Sequence, residues 1–352
     1  MKKNFWICLM CVCFLGVLSG CGNKETLKIY LPGEYMSDQL VPDFEKEYNC
    51  NVEVELFDSN EMMYTKISAG DVYDVLIPSD YMIQRLMNED YLEELDMSKL
   101  SNYSEITSTL LSAPYNNYDP SNSYSVPYFW GSVGIVYDKT VVSEDDIKAE
   151  GYEIFKDTNY NDNLYMYDSE RDAFMVAFKA LGYSMNTNDE AEINAAYEWL
   201  VEMNKTMNPI FVTDEVIDNM AQGRKALALV YSGDAAYILS ENEDMSYYAP
   251  ECGTNVWVDA MVIPKNAENK ELAYKFIDFV ISYDEAYANT EEIGYASVRQ
   301  DILDEVTAEG GIYYDNEAYL PRAGYDKDEV FNDDEFLRKK LSELLIKVKA
   351  SN

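Results

Sequence analysis

The chain has 352 residues, of which 65 are acidic and 27 are lysine or arginine, for a formal net charge of −38 at pH 7. Such acidity argues against a nucleic-acid partner and for cationic ligands or plain solubility. There is no histidine, which removes His-dependent triads, most zinc enzymes and imidazole acid–base chemistry. At 47% apolar with 31 tyrosines the chain is globular, and its length suits two lobes better than one core.

Lys2 and Lys3 precede an apolar run from Phe5 to Val17 and then Leu18-Ser-Gly-Cys21. This order predicts an export signal over residues 1–20, with an apolar run too short for a comfortable membrane span. Leu-Ser-Gly-Cys resembles the lipobox of bacterial lipoproteins. By that resemblance Cys21 becomes the lipidated first residue of the mature chain, and residues 21–26 form a polar tether. Cleavage there removes two lysines and no acid, so the mature chain is more acidic still. Cys8, Cys11 and Cys13 lie in the signal, which leaves Cys50 and Cys252. Two cysteines permit one disulfide and no thiolate zinc cluster; whether they pair is open. No metal or other cofactor is expected.

Leu27, Ile29 and Leu31 alternate as a strand that ends at Pro32-Gly-Glu-Tyr35. A helix carrying Leu40, Phe44 and Tyr48 follows, and Val52, Val54 and Leu56 make the next strand, so the chain opens β-α-β. Residues 61–68 predict a second helix. Val75-Leu-Ile77 reads as a strand buried on both faces, followed by Pro78-Ser-Asp-Tyr81. Ligands of open α/β sheets sit beyond the carboxyl ends of strands, which places Tyr35, Ser79 and Tyr81 at a cleft; the competing role for Ser79 and Asp80 is capping the helix that begins at Tyr81. Residues 103–124 are polar and turn-rich. In Val126–Tyr137 the second half is strand-like, while the first half presents Tyr128 and Trp130 beside a glycine, as a first crossing between lobes.

Asp168-Ser-Glu-Arg-Asp172 precedes a helix with Phe174, Ala177, Phe178 and Leu181 on one face. Ser169 with Asp172 resembles a capping box, yet a strand over 164–166 would also bring Asp168 and Asp172 to a cleft edge. Ile193, Ala196, Tyr197 and Leu200 mark a core-facing helix. Ala226–Tyr231 is a buried-type strand stopped by Ser232-Gly-Asp234, again an aromatic and an acid at a strand end. Residues 270–281 form a helix, and Leu337, Leu341, Leu344, Leu345 and Val348 mark a closing one.

Thr254–Pro264 is the stretch on which the functional reading turns. Period-2 alternation puts Trp257, Asp259 and Met261 on one face and Val256, Val258 and Ala260 on the other. An indole beside a carboxylate suits an organic cation, because the ring face attracts an ammonium and the carboxylate accepts its N–H bonds.

Tyr73–Tyr81, Val126–Gly131, Ala195-Ala-Tyr197, Tyr231-Ser-Gly-Asp234, Trp257-Val-Asp259 with Ile263-Pro264, and Glu292-Ile-Gly-Tyr295 together resemble, in order, the spermidine/putrescine-binding lipoproteins of polyamine ABC transporters. The likeness runs from about Leu27 to Ala350. It implies an α/β, two-lobed periplasmic-binding-protein fold of type II character, each lobe a mixed sheet flanked by helices and the ligand cleft between them. The lobes are expected as 27–133 with 257–301, and 134–256 with 302–352. The resemblance implies that Asp259 contacts amine nitrogens, that Trp257 packs along the methylene chain, and that Tyr295, Tyr35, Ser79, Tyr81 and Asp172 are further contacts. Tyr231, Asp234, Asp168 and Trp130 complete the expected site. The chain departs from the family pattern at Pro32 and Tyr231, where tryptophans are common, at Ser169 in place of an aspartate, and near Phe331 in place of a glutamine, which leaves the choice of polyamine open.

The reading implies capture of putrescine or spermidine outside the cytoplasm by a monomer, and delivery to the membrane permease subunits of an ABC importer. The alternative is the same fold binding another organic cation or a sugar. A glycoside hydrolase with a carboxylate pair, or a lipid-anchored adhesion or sensor protein, are the rivals from other classes.

Overall fold

The computed structural model describes residues 24–351; the predicted signal and Cys21 lie outside the described residues. Among the described residues, ten strands build two sheets. In the first lobe β1 (Thr26–Pro32), β2 (Asn51–Phe57) and β3 (Val75–Leu76) run parallel in the order β2-β1-β3. β4 (Val126–Asp138) is thirteen residues long. β5 (Leu164–Tyr167), β6 (Ile210–Val212), β7 (Leu227–Tyr231) and β8 (Met245–Tyr248) belong to the second lobe, and β9 (Val256–Met261) and β10 (Ala296–Ser297) return to the first.

β4 is the strand the two lobes share. Its first half, from Val126 to Ser132, pairs antiparallel with β9, and Phe129 and Trp130 pair with β10. Its second half, from Val133 to Asp138, pairs with β7 and β8. The whole of Val126–Asp138 is therefore strand, not only its second half as the pattern suggested. Paired hydrogen bonds between Leu76 and Val262, at 3.0 and 2.9 Å, join β3 to the residue after β9 and continue the first sheet. In the second, β5 runs parallel to both β6 and β7.

The chain crosses between lobes along β4, again at Thr254–Asn255 before β9, and a third time after the helix Gln300–Thr307. In this last segment the Tyr313 hydroxyl donates to Thr290 O at 3.1 Å, and Glu317 accepts from Tyr247 N of β8 at 2.8 Å. Gln300–Thr307 packs against β10 and the helix Tyr283–Ile293, so the expected lobe boundary after residue 301 falls inside a first-lobe helix.

The cores follow the sequence periodicities. Leu27, Ile29 and Leu31 of β1 are buried, and Phe44 of the helix Leu40–Tyr48 meets Phe276 and Phe279 edge-on at 5.1 and 5.4 Å. Each such side chain contributes about 1.5–3 kcal/mol by leaving water. The closing helix Glu335–Lys349 buries Leu337, Leu341, Leu344, Leu345 and Val348 on the second lobe, and Asn204 Nδ2 donates to Val348 O at 2.8 Å. Cys50 and Cys252 are both free thiols. No helix among the described residues is long and apolar enough to cross a membrane.

A cationic-ligand cleft between the lobes

The carboxyl ends of β1, β3, β5, β6 and β7 all open onto one cleft of about 890 Å³, as the crossover geometry of parallel strands dictates. Among the described residues, thirteen acidic side chains line it against one basic side chain, Arg171. Such a surface concentrates positive charge and repels anions.

Asp259 lies on β9, 8% exposed. The Tyr35 hydroxyl, from the turn after β1, donates to Asp259 Oδ2 at 2.6 Å, while Oδ1 is buried without a partner. Burial pushes its carboxyl up to about 6, with the Tyr35 hydrogen bond and the nearby Ser79 hydroxyl opposing it. Trp257, two residues earlier on the same face, also lines the cleft, so the alternation read from the sequence is the one observed. Its indole occupies the space over Gly131, where a Cβ would stand 2.4 Å from the ring.

Three further tyrosines hold three further aspartates. Tyr295 donates to Asp234 Oδ1 at 2.8 Å, Tyr231 to Asp172 Oδ2 at 2.7 Å, and Tyr167 to Asp214 Oδ1 at 3.3 Å. The Tyr295–Asp234 bond joins the first lobe to the second. Burial raises Asp234 to about 7 and raises Asp172 as well. The rings of Tyr35, Tyr295, Trp257, Tyr231 and Tyr167 follow one another at centroid distances of 5.5, 5.1, 6.2 and 4.7 Å. The cleft is thus a line of aromatic faces edged with carboxylates. A cation with apolar carbons between charges is the ligand chemistry this surface complements.

Ser79 stands at the N-cap of its helix, its carbonyl accepting from Met82 N and Ile83 N, but its side chain makes no capping bond; the hydroxyl accepts from Asn60 Nδ2 at 3.0 Å, at the cleft wall. Asp80 is 1% exposed and accepts from Tyr81 N at 2.6 Å and from Val258 N at 3.1 Å, so it pins β9 between Trp257 and Asp259. Burial raises its carboxyl to about 7. Tyr81 reaches Glu61 at 3.3 Å, and the Arg171 guanidinium stacks on its ring at 3.1 Å, with Phe331 at 5.4 Å. Ser169 caps its helix by accepting from Asp172 N at 3.4 Å, which leaves the Asp172 carboxylate to the cleft.

One expected site residue lies elsewhere, and another has a partner of its own. Trp130 is absent from the cleft lining: it is 3% exposed, packs edge-on to Tyr115 and donates its indole N–H to Ser297 O at 3.0 Å. Strand alternation is the reason, because Phe129 and Gly131, on the opposite face of β4, are the residues that lie against Tyr35 and Trp257. Asp168 lines the cleft but is exposed and ion-paired with Lys349 at 2.7 Å, so its charge already has a partner. Sequence reading missed Tyr167, Asp214 and Arg171. The first two follow strand ends, the same signal that found Tyr231 and Asp234.

Residues 39–313 match the family model described as bacterial extracellular solute-binding protein. The spermidine/putrescine-binding periplasmic protein of Escherichia coli (strain K12) is 32% identical over 303 residues, covering 84% of this chain and 85% of that one. Among solved structures, the spermidine/putrescine ABC transporter substrate-binding protein PotD from Streptococcus pneumoniae is 33% identical with a TM-score of 0.79, covering 93% and 99% of the two chains. The Tp0655 (TpPotD) lipoprotein of Treponema pallidum is 25% identical with a TM-score of 0.80, covering 93% and 100%. The cleft's composition and these likenesses agree in class, and the chain belongs to the bacterial extracellular solute-binding proteins.

Proposed function

We propose that this protein captures a linear polyamine, putrescine or spermidine, and delivers it to the permease of an ABC importer. The observation that carries the reading is Asp259: a buried carboxylate with one oxygen held by Tyr35 and the other unpartnered, beside an indole, in a cleft with thirteen acids and one base. A buried charge without a counterion is costly, and a protonated amine is the missing partner. Asp259 takes one ammonium, Trp257 and Tyr295 cover the methylenes, and Asp172 and Asp234 stand where further amines are bound. Each charge-assisted hydrogen bond contributes roughly 1.5–3 kcal/mol and each desolvated cation–π contact up to about 2 kcal/mol. A few of these reach the roughly 8 kcal/mol of micromolar binding after the costs of association.

Closure of the lobes about the three crossings encloses the ligand, with Tyr295 and Asp234 meeting across the cleft. Export and lipid anchoring through Cys21 to the outer face of the cell membrane complete the proposal, supported by the lipobox-like Leu18-Ser-Gly-Cys21. Calorimetric titration with putrescine and spermidine tests it: one-to-one binding of either amine supports the reading, and silence with both overturns it.

A further inference from the structure

Among the described residues, nine buried side-chain nitrogens and oxygens have no hydrogen-bond partner. Three of them, Asn255 Oδ1, Trp257 Nε1 and Asp259 Oδ1, stand at alternate positions of one stretch of chain and belong to residues lining the cleft; the other six belong to residues that do not line it. Native proteins satisfy nearly all buried polar atoms, so such a concentration on one strand face marks a place completed by something else. Trp257 and Asp259 are absorbed by the reading above. Asn255 is not.

Asn255 is 3% exposed. Its main chain is fixed on two sides, its carbonyl oxygen accepting from Val133 N at 3.1 Å and its neighbour Val256 N donating to Glu329 O at 2.8 Å. The side chain is therefore held at the crossing between lobes, with a carbonyl that faces no donor of the protein. The helix that carries Asp172 in its first turn packs beside this crossing, Met175 Sδ lying 3.8 Å from Thr254 Oγ1, and Asp172 and Asn255 line the same cleft.

Two acceptors thus flank the Trp257 indole along one strand. Four residues of strand separate their Cα atoms by roughly 13 Å. With bonds of about 1.5 Å, an extended putrescine separates its nitrogens by roughly 6 Å and spermidine its terminal nitrogens by roughly 11 Å. Allowing for side chains that lean inward, only the triamine spans both acceptors.

Resting on the polyamine reading, we propose that Asn255 is a ligand-contacting residue that sets the accepted length. Its side-chain carbonyl accepts an N–H from the far ammonium of a triamine, whose charge Asp172 neutralises, while Asp259 holds the near amine and the carbons lie along Trp257. An ammonium carries three donors, so a carboxylate and a carbonyl on one end group are complementary to it. The site prefers spermidine to putrescine for this reason.

The test is calorimetric titration of both amines into the unmutated mature chain, Asn255→Leu and Asn255→Asp, with thermal unfolding of each ligand-free protein as the check on folding. Asn255→Leu keeps the volume and removes the acceptor. The expected result is a spermidine Kd raised on the order of tenfold or more with the putrescine Kd changed less than about threefold. Asn255→Asp adds charge at the same point and is expected to increase the preference for spermidine. If the leucine variant does not fold, the aspartate variant decides, and an unchanged ratio of the two Kd values overturns the proposal. Equal losses for both amines, or no loss, overturn it and leave the polyamine reading standing. An unmutated protein that binds neither amine overturns that reading and this inference together.

Discussion

The Tyr35 hydroxyl donates to Asp259 Oδ2 at 2.6 Å across 224 residues of sequence, tying the turn after β1 to β9 and leaving Oδ1 without a partner. One oxygen orients the carboxylate and the other is available to a ligand. Asp259→Asn keeps the shape and removes the charge. We expect amine affinity to fall at least tenfold to a hundredfold, with thermal stability of the ligand-free protein unchanged or higher because a buried charge has been removed. Calorimetry and thermal unfolding of the one variant check both halves.

Tyr35→Phe removes only the orienting bond. Its expected effect on affinity is smaller than that of Asp259→Asn, within about tenfold. A larger loss than Asp259→Asn would mean that the hydroxyl itself meets the ligand.

The pH dependence has a definite sign. Burial raises Asp259 to about 6 and Asp80 and Asp234 to about 7 without ligand, above the roughly 3.9 of an unfolded aspartate. The native state therefore binds more protons than the unfolded state between about pH 4 and pH 7. These groups make the ligand-free protein less stable as pH rises through that window. A bound dication favours the ionised carboxylates, so affinity rises over the same range and levels off above it. Titrations at pH 5.5 and pH 8 in buffers of different ionisation enthalpy should show tighter binding at pH 8, and proton release at neutral pH. Affinity that is flat with pH would contradict the assignment of Asp259 and Asp234 to the ligand.

Gly131 and Gly233 are fixed by the rings beside them. A Cβ at Gly131 would stand 2.4 Å from Trp257, and at Gly233 2.3 Å from Tyr295. Gly131→Ala and Gly233→Ala should each cost about 1–3 kcal/mol of stability, read as a lowered unfolding midpoint, and should weaken amine binding by moving a ring. Trp130→Phe gives the contrast: it should lower stability through loss of the hydrogen bond to Ser297 and leave the amine Kd unchanged.

The sequence showed the site best where local periodicity decides geometry. Alternation alone placed Trp257 and Asp259 on one face, and strand ends located Tyr35, Ser79, Tyr81, Tyr231 and Asp234. The same alternation carried two residues upstream reaches Asn255. It misplaced Trp130, because which face of β4 meets the cleft depends on pairing with β9 and β10, a long-range register. Asp168 lines the cleft as expected, and only its ion pair with Lys349, 181 residues away, is beyond any local pattern. Arg171 and its stack on Tyr81 depend on the two lobes meeting, which no local pattern encodes.

The decisive measurement is calorimetric titration of residues 22–352 with putrescine and spermidine, with maltose as a neutral control, at low and high salt. One-to-one binding of an amine that weakens as salt screens the acidic cleft, with no heat from maltose, is the expected result. Binding of the sugar, or silence with both amines, would contradict it.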